Sequence, residues 1–168
     1  MNKLYYTRRK FVKLSTSTAV GGAVLSGIGF PKEASDSTQA NNKPLRIGFV
    51  GIGGRGTYHL NCALGIEGIE VPALCEVQPK RLEAAKKRVE DSGLPTPRLY
   101  GKGVTDFKRM CETEKLDLIV CCTSWEWHTP VCLAAMNSEK HCVSEVPIVL
   151  TLDEAWQIVE THEKTGKW

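Results

Sequence analysis

From residue 45 onward, short apolar runs alternate along the chain with longer segments of helical periodicity. Leu45, Ile47 and Phe49 lead into a glycine-rich turn followed by a helix-like stretch. Ile69, Val71 and Leu74 form a second apolar run over 69–75. Residues 79–91 open with a proline suited to a first helical turn and set Leu82, Ala85 and Val89 on one face; Gly93 and two prolines end the segment. Residues 98–100 predict a short third strand, and 104–114 a helix with Phe107, Met110 and Cys111 facing inward. The run 116–122 is made mostly of β-branched and small apolar residues, as suits a strand buried on both faces.

The next helix is expected to start with Thr129 as its cap and Pro130 as its first residue, burying Val131, Ala134 and Ala135. Residues 141–145 predict another strand. Thr151 and Glu154 have the spacing of a capping box, and Leu152, Ala155, Trp156 and Val159 make one stripe that assigns Trp156 to the core. That helix should end near Gly166. Strands alternating with helices specify an α/β fold, a Rossmann-type doubly wound parallel sheet with right-handed crossovers. No internal repeat is visible. The pattern stops at Trp168, where a further strand is expected, so the chain reads as a protein interrupted before a second domain.

The turn itself reads V-G-I-G-G-R-G from Val50 to Gly56. A G-x-G-x-x-G run is weak evidence alone, but between a buried strand and a helix each glycine has a physical task. Gly51 permits the tight turn, Gly53 lets the backbone approach a diphosphate, and Gly56 lets the helix sit close on its strand. Phosphates would then face the free N–H groups of the helix start. The second strand ends at Glu76, at the offset where a carboxylate accepts hydrogen bonds from the ribose hydroxyls and repels a 2′-phosphate. NAD is favoured over NADP. The plainer alternative is a glycine turn followed by a surface glutamate.

Charge changes the picture only at the front. Thr7-Arg8-Arg9-Lys10-Phe11 is a twin-arginine pattern, followed by a mildly apolar stretch over 14–30 that is short and diluted for a membrane span. The reading is a twin-arginine export signal and linker over residues 1–42, which predicts the twin-arginine translocase as partner and a periplasmic or exported destination. Its alternative is an amphipathic cytoplasmic tail. Six of the 22 basic and two of the 19 acidic side chains lie in residues 1–40, leaving 16 against 17 in the rest. The net charge of +3 therefore belongs to targeting, and no nucleic-acid footprint remains.

All seven cysteines follow the leader, at 62, 75, 111, 121, 122, 132 and 142; the number is odd and no C-x-x-C pair occurs. Buried free thiols are expected. Adjacent Cys121 and Cys122 point to opposite strand faces, so no metal site is assigned to them, and none elsewhere.

In an open parallel sheet, ligands bind outside the carboxyl ends of the strands. Two segments fall there. Thr123-Ser124-Trp125-Glu126-Trp127-His128-Thr129-Pro130 follows the fourth strand, and Ser144-Glu145-Val146-Pro147 the fifth. Two tryptophans around a carboxylate, next to a histidine, can line the nicotinamide side of a cleft. Alternatively Trp125 and Trp127 pack beneath a neighbouring domain, and His128 is a structural histidine.

From Leu45 onward the chain resembles the N-terminal domain of the Gfo/Idh/MocA oxidoreductases. The twin-arginine start, G-I-G-G-R-G, W-E-W-H-T-P and E-V-P are most similar to glycoside hydrolase family 109, the NAD-dependent α-N-acetylgalactosaminidases. The resemblance implies that Gly54, Arg55, Glu76, Trp125, Glu126, Trp127, His128, Glu145 and Val146 contact NAD. Dehydrogenases of the wider family have E-K-P at the last site, with the lysine assisting proton transfer. Valine exchanges no proton, which sets ordinary alcohol dehydrogenation by that route in doubt. The resemblance implies instead a glycosidase that oxidises the sugar transiently at C3, eliminates the glycosidic group, adds water and returns the hydride. Its acid/base residues and its contacts to the carbohydrate substrate lie in the C-terminal domain, so no catalytic residue is named here and the segment alone is expected to be inactive. Two other readings stay open: a periplasmic sugar dehydrogenase, and a non-catalytic nucleotide-binding fragment. Apolar surface left bare near Trp125, Trp127 and the last helix would favour self-association.

Overall fold

Ile47 and Phe49 on one side of the first strand and Val50 on the other enter two separate hydrophobic clusters. That division sets the architecture. The computed structural model describes residues 43–168; the expected export signal and linker lie outside the described residues. Strands β1 (Leu45–Val50), β2 (Ile69–Cys75), β3 (Arg98–Tyr100), β4 (Leu118–Cys121) and β5 (His141–Ser144) form one sheet in the order β3-β2-β1-β4-β5. Every pairing is parallel. Helices α1 (Gly54–Leu64), α2 (Pro79–Asp91), α3 (Asp106–Thr113), α4 (His128–Asn137) and α5 (Leu152–Thr165) connect the strands or follow the last one. The Rossmann-type doubly wound sheet is the fold of this chain.

One cluster packs Leu60 and Ala63 of α1 and Leu82, Ala85 and Val89 of α2 against Ile47, Phe49, Val71 and Leu74. Phe49, Leu60, Leu74 and Val89 are 0–1% exposed, and burial of each such side chain contributes about 1.5–3 kcal/mol. The other cluster joins Phe107, Met110 and Cys111 of α3 and Val131 and Ala135 of α4 to Val50, Cys75, Ile119 and Cys121. β2 carries Pro72 in mid-strand although it is an interior strand. Its register with β1 shifts there, so the missing N–H falls at a bulge.

Three expectations need correction. α4 begins at His128, preceded directly by a 3₁₀ turn over Trp125–Trp127, so Thr129 lies within the helix and does not cap it. Its hydroxyl donates to the Ile148 carbonyl, 2.9 Å away, an acceptor that local sequence cannot reveal. Strand β4 runs Leu118–Cys121 and is shorter than the apolar run, while Leu116, just before it, is still buried. Trp156 is not in the core: it is 58% exposed, with Leu152 and Val159 also exposed. The capping box of α5 forms as expected, with Thr151 accepting from the Glu154 N–H. Yet α5 lies against α4 through its half-buried Ala155, Ile158 and Thr161 face, leaving the more apolar stripe outward. Periodicity identified the helix but not which neighbour it would meet. Among the described residues no helix is long and apolar enough to cross a membrane.

Candidate cofactor site

The glycine loop is held by the strands on either side of it. Gly51 N–H donates to the Cys75 carbonyl at 2.8 Å, and Cys122 N–H to the Val50 carbonyl at 2.8 Å. Gly51 has φ +81°, and a Cβ there would stand 2.7 Å from the Cys122 carbonyl oxygen, so only glycine fits. A Cβ on Gly56 would collide with the Gly51 carbonyl oxygen. These are the turn and the close approach that the fingerprint needs. Gly53 caps α1 with no side-chain hydrogen bond to the helix, which leaves first-turn N–H groups facing outward at the positive end of the helix dipole.

Glu76 meets this loop directly. Its Oε2 accepts from Ile52 N–H at 2.7 Å and its Oε1 from Gln78 N–H at 2.9 Å. Each carboxylate oxygen keeps a further lone pair, and Glu76 remains on the lining of a cavity of about 390 Å³ with Gly51, Gly53, Gln78, Arg81 and Trp127. The volume and the mixture of backbone donors, a carboxylate and an aromatic wall suit the adenosine and diphosphate portion of a dinucleotide. The residues present fit the cofactor that the sequence specifies.

The ends of β4 and β5 divide the remaining expected contacts among different tasks. Trp127 lines the cavity and packs edge-on against Phe107, with ring centroids 6.0 Å apart. Trp125 is 62% exposed beside it. Glu126 accepts from the Ser124 hydroxyl at 2.8 Å, and hydrogen bonds from its own N–H and from Ser124 hold its carboxyl below the usual range. His128 is buried: Nδ1 lies 2.7 Å from the Pro147 carbonyl and Nε2 3.1 Å from the Thr123 carbonyl. It ties the segment after β5 to the segment after β4, as a structural histidine does. Val146 is 79% exposed at the tip of β5.

Glu145 has partners that sequence reasoning missed. Its Oε1 lies 2.6 Å from His59 Nε2 and 3.2 Å from Arg55 Nε, and its N–H donates to the Cys121 carbonyl. The His59 hydrogen bond, and after it the nearby Arg55 charge, hold its carboxyl below the usual range. Arg55 and His59 are four apart on α1, a spacing that places them on one face. That signal was available, but its target across the sheet was not. Arg81 also escaped notice. Its guanidinium lies 3.4 Å from where a Gly53 Cβ would stand and has no carboxylate partner among the described residues. All seven cysteines are free; burial pushes the Cys75 and Cys111 thiols up to about 12, while Cys62 is exposed.

A family model described as an oxidoreductase family with an NAD-binding Rossmann fold matches residues 45–168. The chain belongs to the Gfo/Idh/MocA oxidoreductase family. NAD is the cofactor of this domain. The chain is 42% identical over 121 residues to an α-N-acetylgalactosaminidase of Bacteroides fragilis, covering 72% of this chain and 28% of that protein. It is 38% identical over 123 residues to a glycosyl hydrolase family 109 protein of Shewanella pealeana, covering 73% and 27%. An α-N-acetylgalactosaminidase of Tannerella forsythia is 33% identical over 172 aligned residues, covering 95% and 37%. The chain thus spans only about a quarter to two fifths of the length of these curated relatives. Among solved structures, myo-inositol 2-dehydrogenase from Lactobacillus plantarum aligns with a TM-score of 0.63 at 27% identity, covering 73% of this chain and 34% of that one. A scyllo-inositol dehydrogenase from Lactobacillus casei aligns at 0.64 and 26%, covering 74% and 35%.

Proposed function

We propose that this chain is the NAD-binding portion of an exported glycosidase acting on α-linked N-acetylgalactosamine, in which the sugar is oxidised only transiently. The observation that carries the reading is Val146. It stands exposed at the strand tip where dehydrogenases of the wider family have a lysine, and it offers no proton donor or acceptor. When bound, NAD would take a hydride from the sugar and later give it back, so that no net NADH accumulates. This chain's residues would bind and orient: the loop of Gly51, Gly53, Gly54 and Gly56 at the diphosphate, Glu76 at the ribose hydroxyls, and Trp127 along the cavity wall. Glu145, held by His59 and Arg55, would fix the path of the backbone into Val146. The carbohydrate contacts and the acid/base groups would come from outside the chain, consistent with its share of the relatives' length.

Product analysis of the full-length protein on an α-N-acetylgalactosaminide tests this. Released N-acetylgalactosamine with unchanged NADH supports it. Stoichiometric NADH from a free sugar supports a second reading, a sugar dehydrogenase, which the likeness to the inositol dehydrogenase structures favours.

Export through the twin-arginine translocase to the periplasm is part of the proposal. It rests on Arg8-Arg9 and the diluted apolar stretch after them. A folded reporter fused behind residues 1–42 should be exported, and replacement of both arginines by lysine should stop it.

A further inference from the structure

His59, Cys122 and Glu145 come from three different elements, the middle of α1 and the ends of β4 and β5. Each brings a ligand atom to within 4.8 Å of the other two. The trio sits on the rim of a groove of about 480 Å³ on the sheet face that α1 shares, and Cys122 also lines the cavity holding Glu76 and Trp127. We propose that this trio binds a divalent transition-metal ion of the zinc type. The inference does not rest on the glycosidase reading, although it uses Glu145, to which that reading gives the task of holding the backbone ahead of Val146.

Chemistry selects the ion. One imidazole, one thiolate and one carboxylate form a mixed nitrogen, sulfur and oxygen set of borderline softness, which suits zinc or cobalt and disfavours magnesium and calcium. Metal–sulfur bonds of about 2.3 Å and metal–nitrogen bonds of about 2.0 Å bring ligand atoms within about 4 Å of one another, so rotamer adjustments of under about 1 Å close the site. Thiolate and carboxylate together balance the ion's charge. Three protein ligands leave a fourth position for water, the open arrangement of reactive zinc sites. Arg55 stands 3.2 Å from the same carboxylate oxygen as His59 and opposes a cation. Its side chain is 64% exposed and free to turn into solvent. His59 and Glu145 are 37% and 26% exposed, so an ion can enter from the groove.

The test titrates the full chain, freed of metal, with cobalt(II) and follows the near-ultraviolet thiolate-to-cobalt absorption. One equivalent should saturate the signal. C122S should abolish it, H59A should weaken binding at least about tenfold, and C62S, which removes an exposed thiol on the same groove, should leave it unchanged. Circular dichroism of C122S and E145Q shows whether either change merely unfolds the chain. Absence of the band in a folded wild-type chain overturns the proposal, as does a band that survives C122S. A parallel NAD titration keeps the two readings apart: loss of NAD binding with an intact cobalt signal would count against the cofactor site alone.

Discussion

The two ends of the candidate cofactor site are built on different terms. At the tips of β1 and β2, three of the residues singled out have a geometric reason of their own: Gly51 its positive φ, Gly56 its contact with the loop carbonyl, Glu76 its two backbone donors. At the tips of β4 and β5, a motif of similar density breaks into separate tasks. Trp127 lines the cavity, Glu126 accepts a hydrogen bond within its own turn, and His128 pins two segments together. The difference shows that a motif whose constraint is backbone geometry transfers from sequence to structure nearly intact, whereas one made of versatile side chains is apportioned by its neighbours.

The sharpest way to break the comparison is at Gly56. Gly56→Val should force the loop and α1 apart, costing about 1–3 kcal/mol in thermal unfolding and removing measurable NAD binding by calorimetry. Retention of both would dissolve the claim that the first region is dictated by backbone.

Next in size is a contrast within the second region. His128→Ala removes the buried ring that bridges the Pro147 and Thr123 carbonyls and should cost about 1–3 kcal/mol of stability, read in urea melts. Trp125→Ala, at an exposed position, should leave the same melts within about 0.5 kcal/mol. Equal losses would mean that Trp125 is structural after all.

Glu76→Gln keeps the shape and one acceptor oxygen while removing the charge. NAD affinity should fall on the order of tenfold, for a lost charged hydrogen bond of about 1.5 kcal/mol, and discrimination against NADP should narrow. Unchanged preference between the two cofactors in calorimetry would remove Glu76 from the ribose.

The smallest effect concerns Glu145. Its folded carboxyl lies below the ordinary 4.5, so the stability it contributes is present above that pH and is lost as pH falls through the folded value. His59→Ala should therefore flatten the acid-side decline of the melting temperature below about pH 4.5 and leave the neutral plateau shape unchanged. A decline as steep as in the wild type would show that the pair does not act in linkage.

Much of the fold was legible before any coordinates. Residues 69–75, 79–91 and 98–100 are elements within the same bounds as their patterns, because proline, glycine and apolar spacing act locally. Trp156 was not legible. An amphipathic stripe states that a face is apolar, but not which surface the rest of the fold leaves for it. His59 and Arg81 were invisible for a related reason, since their partners stand 86 residues away at Glu145 and across the loop at Gly53.

By itself, the sequence determined the alternation of strands and helices, the glycine turn and the carboxylate at the second strand's end, all of which follow from backbone sterics and short-range periodicity. Tertiary structure alone decided which face of α5 turns inward, that His128 is a brace, and that His59, Cys122 and Glu145 meet. Those outcomes depend on parallel pairing, which brings strand ends remote in sequence to one edge, and no local pattern carries that distance.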